Sequence, residues 1–104
     1  MTETLLILCA CANDDDALRI ANTLVEQRLA ACVNIVPGVR SIYRWREQVE
    51  SGQEILLFIK TSQERFPALR DRIAELHPYD TPEVIALPIV GGLEKYLVWL
   101  REQV

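Results

Sequence analysis

Cys32-Val33-Asn34-Ile35-Val36-Pro37-Gly38-Val39-Arg40-Ser41-Ile42-Tyr43-Arg44-Trp45, followed after a short polar stretch by Ile55-Leu56-Leu57-Phe58-Ile59-Lys60, is the part of the sequence on which the fold turns. The first run is rich in β-branched and aromatic residues, and the second is continuously apolar, as in a buried strand. The turn residues Glu50-Ser51-Gly52-Gln53 between them predict one long hairpin, from Cys32 to about Lys60, with its reversal at 50–53. Pro37-Gly38 predicts a bend or bulge and places the first strand at a sheet edge, because proline cannot donate to a ladder.

On either side of this hairpin the pattern is strand and helix. Residues 3–11 read as a buried strand around Leu5-Leu6-Ile7-Leu8-Cys9. Asn13 or Asp14 then caps a helix with the stripe Ala17, Ile20, Ala21, Leu24 and Val25. Asp14, Asp15 and Asp16 sit where the positive end of the helix dipole favours them, so capping outweighs metal binding as their role. After the hairpin, Thr61 or Ser62 caps a second helix with the stripe Phe66, Leu69, Ile73 and Leu76, which stops at His77 because Pro78 follows. Pro78 and Pro82 hold the Tyr79-Asp80-Thr81 loop extended. Glu83–Val90 reads as a fourth strand, and Gly91-Gly92 precedes a last helix with Leu93, Tyr96, Leu97 and Leu100 on one face.

The order β-α-β-β-α-β-α, with right-handed crossovers, gives an α+β fold: a ferredoxin-like split βαβ sandwich with antiparallel strand order 4-1-3-2, two helices on one face and a C-terminal helix added. The other sheet face then needs a cover, such as another subunit.

At 104 residues the chain is expected to be one domain, 1–104, large enough to fold without disulfides or a structural metal. Half of it is apolar and a quarter charged, which excludes a disordered chain. The longest apolar run, Leu5 to Ala12, is far short of the ~20 residues of a membrane span. A net charge of −4 disfavours nucleic acid and anionic membranes as partners. The opening Met1-Thr2-Glu3-Thr4 has no basic flank, so no secretory signal is expected. Three cysteines, an odd number, point to free thiols in a reducing cytoplasm.

Several chemistries can be weighed. The third strand lacks the basic, aromatic motif of an RNA-recognition module. An acyl-phosphate hydrolase needs backbone donors around phosphate, whereas the first strand–helix junction carries three aspartates. Arg40, Arg44 and Arg46 then read as solvated or intersubunit charges. Cys9 and Cys11 share one face of a strand, and they and Cys32 read as small core residues rather than nucleophiles. A thiolate with an imidazole suits copper or zinc, and the fold can bring Cys9 to His77. On the residues alone, His77 as a helix-terminal partner for free carbonyls is favoured over His77 as a ligand.

His77-Pro78-Tyr79-Asp80-Thr81-Pro82-Glu83, running into Ile85-Ala86-Leu87-Pro88-Ile89, resembles the signature of the divalent-cation tolerance (CutA) family. Leu29-Ala30-Ala31-Cys32-Val33-Asn34, Ser41-Ile42-Tyr43-Arg44-Trp45, Glu54-Ile55-Leu56-Leu57 and Tyr96-Leu97-Val98-Trp99-Leu100 agree with it in order. The resemblance covers essentially the whole chain. It implies a stable, non-enzymatic cytoplasmic homotrimer, similar in architecture to PII signalling proteins, that responds to metal ions and binds copper or another divalent cation. Carried over residue by residue, the family's copper ligands fall on Cys9 and His77. A further histidine of the family falls on Leu76, which cannot ligate. With one histidine left beside a soft thiolate, Cu(I) is favoured over Cu(II), and Cys11 is available as a second sulfur, while Asp80 and Glu83 are harder ligands with structural roles. The alternative is a PII-like regulator binding a small ligand between subunits.

Overall fold

In the computed structural model, which describes residues 3–104, β1 (Thr4–Cys11) pairs antiparallel on one side with β3 (Gln48–Ser62) and on the other with β4 (Val84–Pro88). β2 (Cys32–Trp45) pairs with β3, so the sheet order is β2-β3-β1-β4, the expected 4-1-3-2. Met1 and Thr2, on which the reading of the N-terminus rested, lie outside the described residues.

The pleat divides β1 into two faces. Leu5, Ile7, Cys9 and Cys11 join Ile55, Leu57 and Ile59 of β3 in the core under α1 (Asp14–Glu26) and α2 (Phe66–Leu76). Ile20, Leu24, Leu69 and Ile73 close this layer from the helices and are fully buried. Each such side chain contributes roughly 1.5–3 kcal/mol by leaving water. Val25, placed in the α1 stripe from the sequence, is instead 41 % exposed.

The α1 terminus follows the sequence closely. Asn13 is the N-cap, and its Oδ1 accepts from the Asp16 amide at 2.9 Å, while Asp16 pairs with Arg19. The acidic run is therefore capping, as its composition suggests. The α2 start differs: Thr61 and Ser62 belong to β3 and the N-cap is Arg65, though the Ser62 hydroxyl still accepts from the Arg65 amide at 3.2 Å. Thr61 is spent elsewhere, donating to the Leu29 carbonyl at 2.6 Å.

The hairpin is longer than expected and reverses elsewhere. Its ladder continues to Trp45↔Gln48, and the two-residue turn is Arg46-Glu47, with φ of 49° and 66°. Both residues take the left-handed conformation that a twist-compatible turn demands. Residues 50–53 are strand, not turn. Two-residue turns usually announce themselves with Asn-Gly or Asp-Gly, and here the ladder imposes the geometry on Arg and Glu instead. The ladder shifts between Val36 and Val39, with Gly38 at φ 75°, so the Pro37-Gly38 bulge stands on an edge strand as read. β1 reaches only as far as Ile55. Beyond it the hairpin extends as an isolated ribbon, giving the molecule a 44 Å long axis against 25 and 22 Å.

β4 is shorter than the 83–90 expected, and α3 (Glu94–Glu102) follows it. Tyr96 of α3 places its hydroxyl 3.7 Å from Cys32 Sγ. Cys32 is opposite Lys60 in the ladder, on the face away from α1 and α2. One end of the second sheet face is thus covered from within, and Leu100 is fully buried there, whereas Leu93 stands 74 % exposed at the helix start. The rest of that face leaves Val36, Ile85 and Leu87 exposed.

Candidate metal centre

β1 sends Cys9 and Cys11 to the same side because they are two residues apart on one strand. The α2 helix ends at Leu76, and His77, as its C-cap, turns to extended backbone (φ −77°, ψ 133°) while its amide still donates to the Ile73 carbonyl at 2.8 Å. This delivers the imidazole to the end of β1. Donor atoms of Cys9, Cys11 and His77 all lie within 4.8 Å of one another, and all three residues are buried. Among the described residues no other His/Cys/Asp/Glu group is gathered for a metal.

The imidazole is held by backbone on both sides. A carbonyl only accepts, so Nε2 carries the proton and donates to Ala10 O at 2.8 Å. Nδ1 then accepts from the Tyr79 amide at 3.1 Å. Ala10 lies one residue past the last β1–β4 pair, Cys9↔Val84. The Tyr79 ring packs against the imidazole at 4.6 Å between centroids. His77 does end α2, but its ring bonds a β1 carbonyl rather than the free carbonyls of the helix expected from the sequence, and this placement puts the ring against two thiols.

The thiols titrate as a pair. The hydrogen bond that Cys9 donates to Cys11 pushes the Cys9 thiol well up, and burial, the Cys11 charge, Glu83 and Glu54 add to this. The same bond lowers Cys11, against an opposing effect of burial. The first proton lost is that of Cys11, and Cys9–H then bonds its thiolate.

The donor set fits a soft cation. With metal–sulfur bonds near ~2.3 Å and metal–nitrogen near ~2.0 Å, two donors on one ion stand roughly 3.5–4.6 Å apart, so closing the cluster needs only small movements. Ligation through Nδ1 would displace one backbone N–H, a loss of about 1 kcal/mol. Leu76 is half-buried against the core and supplies nothing to the cluster, while Cys11 stands where a third donor is needed. Asp80 and Glu83 are not in it.

Those two acids belong instead to a cleft of about 590 Å³ beside the hairpin ribbon, lined also by Tyr43, Trp45, Glu54 and Tyr79. The Tyr79 hydroxyl donates to Glu54 Oε2 at 3.0 Å. Partial burial, then this bond and the Glu54 charge, push the Tyr79 phenol up to about 12. The cleft was not legible in the sequence, because its walls are 25 residues apart along the chain and nothing local links Glu54 to Tyr79.

Comparison with known proteins bears on the family and the fold. Residues 5–103 match the family described as CutA1 divalent ion tolerance protein. The chain is 53 % identical over 97 residues to the divalent-cation tolerance protein CutA of Thermus thermophilus, covering 93 % of this chain and 94 % of that one. It is 43 % identical over 101 residues to the protein of the same name from Pectobacterium atrosepticum, covering 97 % and 92 %. The crystal structure of CutA from Xylella fastidiosa superposes with a TM-score of 0.95 at 42 % identity over 97 % of both chains. A family match over nearly the whole chain, matched lengths, a shared fold and identity of this level leave one assignment: the chain belongs to the CutA1 divalent ion tolerance family.

Proposed function

We propose that the protein is a non-enzymatic, cytoplasmic, homotrimeric metal-response protein that binds copper through Cys9 and His77, with Cys11 as the third donor. The observation that carries this reading is the convergence of two thiols and one imidazole within 4.8 Å in a buried pocket. Two sulfurs and one nitrogen suit Cu(I) better than Cu(II), which prefers several nitrogens or oxygens in a tetragonal set. Three free cysteines fit a reducing compartment. The trimer is supported by apolar side chains left in water on the ribbon and the open sheet face, Ile42 (70 %), Val49 (67 %) and Ile85 (50 %) among them. Cyclic closure would cover all three copies of this surface.

The test is a Cu(I) competition titration on the wild type, Cys9→Ser and His77→Ala. Each substitution should weaken binding by more than the roughly 10–100-fold that losing an outer partner of a ligand costs. Variants that compete as well as wild type would remove the metal reading. Light scattering that gives the 11.9 kDa mass of a single chain at micromolar concentration would remove the trimer. The competing reading, a regulator that binds a small ligand, is favoured by one observation, the cleft beside the ribbon.

A further inference from the structure

We propose that the Tyr79 amide and a cation in the thiol–imidazole cluster compete for one lone pair of His77, so that loading of the cluster releases Tyr79 and, through its hydroxyl, loosens its grip on Glu54 at the root of the hairpin ribbon. The inference rests on the metal reading above and gives it a response outside the buried cluster.

The His77 ring has no spare nitrogen. Nε2 carries the proton and spends it on the Ala10 carbonyl at 2.8 Å. The lone pair in the ring plane is then on Nδ1, where it already accepts from the Tyr79 amide at 3.1 Å. Ligation through Nδ1 ends the Tyr79 bond and keeps the Ala10 bond. The retained bond is the ordinary support of a ligating histidine, whose other N–H is donated to a carboxylate, a backbone carbonyl or water. Ligation through Nε2 would instead move the proton to Nδ1. The Tyr79 N–H would then face another donor, and the Ala10 carbonyl would face none. One route loses a single bond and the other loses both, which selects Nδ1.

Tyr79 carries the change outward. Its amide and its ring both rest on His77, the ring at 4.6 Å between centroids, and its hydroxyl donates to Glu54 Oε2 at 3.0 Å. Only Pro78 separates it from His77. The fixed φ of that proline leaves the amide few ways to turn aside without carrying the Tyr79 ring with it. Glu54 adjoins Ile55, the last β3 residue paired with β1, so the Tyr79 hydroxyl grips the strand where sheet gives way to ribbon. The coupling is reciprocal. If loading loosens the Tyr79–Glu54 bond, removing that bond must favour loading.

The test uses the whole protein, isotope-labelled, with Cu(I) added in the absence of oxygen. His77 is the single histidine of the chain, so its ring signals in proton–nitrogen correlation spectra are unambiguous. On loading, Nε2 should keep its proton while the Nδ1 signal moves. Exchange of the Tyr79 amide should quicken at least about 10-fold, as loss of its protecting bond predicts. Tyr79→Phe keeps the ring, the amide and the Glu54 charge, and should bind Cu(I) about 2–10-fold more tightly, the range that corresponds to one net hydrogen bond. Cu(I) binding with the Tyr79 amide still protected would overturn the competition and leave the metal reading standing. A released amide with unchanged affinity in Tyr79→Phe would overturn the link to Glu54, and with it the proposal. No Cu(I) binding at all would overturn both readings.

Discussion

The Nε2–H of His77 and the carbonyl of Ala10 stand 2.8 Å apart, tying the loop after α2 to the far end of β1. The opposite ring nitrogen accepts from the Tyr79 amide. The residue that closes the metal cluster is thus also a structural pin, and its two roles make separate, measurable claims.

Without metal, His77→Ala should destabilise the protein by about 2–4 kcal/mol, because two backbone groups lose their partner in a buried place. Urea denaturation of the metal-free protein measures this. A change below about 0.5 kcal/mol would mean that water replaces the ring at no cost, and that His77 is not a pin.

Metal affinity should rise with pH. Binding must expel the Cys9 proton, which the bond to Cys11 and burial hold far above the ordinary thiol range, and below the lowered Cys11 titration it must expel a second. The slope of log affinity against pH is therefore expected to fall from roughly two to roughly one as Cys11 ionises. A pH series of Cu(I) competition titrations reads this directly, and a flat profile would exclude thiolate ligation.

Tyr79 supplies a stability term at alkaline pH with a definite sign. Its folded pKa, about 12, lies above its ordinary value of 10, so the folded state holds the proton longer. Its contribution is full below pH 10 and is lost as pH rises through about 12. The difference in stability between wild type and Tyr79→Phe should shrink across that window, whereas a constant difference would show that the phenol titrates normally.

The hairpin turn carries a cost that can be removed. Glu47 sits at φ 66° without being glycine. A left-handed residue with a Cβ costs roughly 1–2 kcal/mol, partly offset by the extra chain entropy of glycine, so Glu47→Gly should stabilise by up to about 1 kcal/mol. Thermal denaturation at fixed protein concentration tests it, and a destabilised variant would show that Glu47 makes contacts worth more than its strain.

Much of this architecture was written in local pattern. Alternation and continuous apolar runs placed every strand, Asn13 marked the α1 start, and Pro37-Gly38 marked the bulge. Each of these signals acts through the residue's own backbone or its nearest neighbours. The hairpin reversal was misplaced because Arg46-Glu47 lacks turn chemistry. Its left-handed backbone is imposed by two long paired strands, which overcome local preference. The α2 cap was misplaced for a similar reason: Thr61 is committed to the Leu29 carbonyl, a partner 32 residues away that no local rule registers.

The candidate site divides in the same way. That Cys9 and Cys11 share a face follows from the two-residue repeat of a strand, and that His77 ends a helix follows from Pro78. That these three donors meet, and that Cys11 stands where Leu76 offers no ligand, was decided only when the end of α2 docked its His77 on the end of β1. The cleft is more tertiary still. Glu54 and Tyr79 are brought to 3.0 Å by the β1–β3 register and the loop after α2 together. A strand's repeat fixes which side a residue faces, whereas what it faces depends on packing between distant elements, and that is set by the whole core.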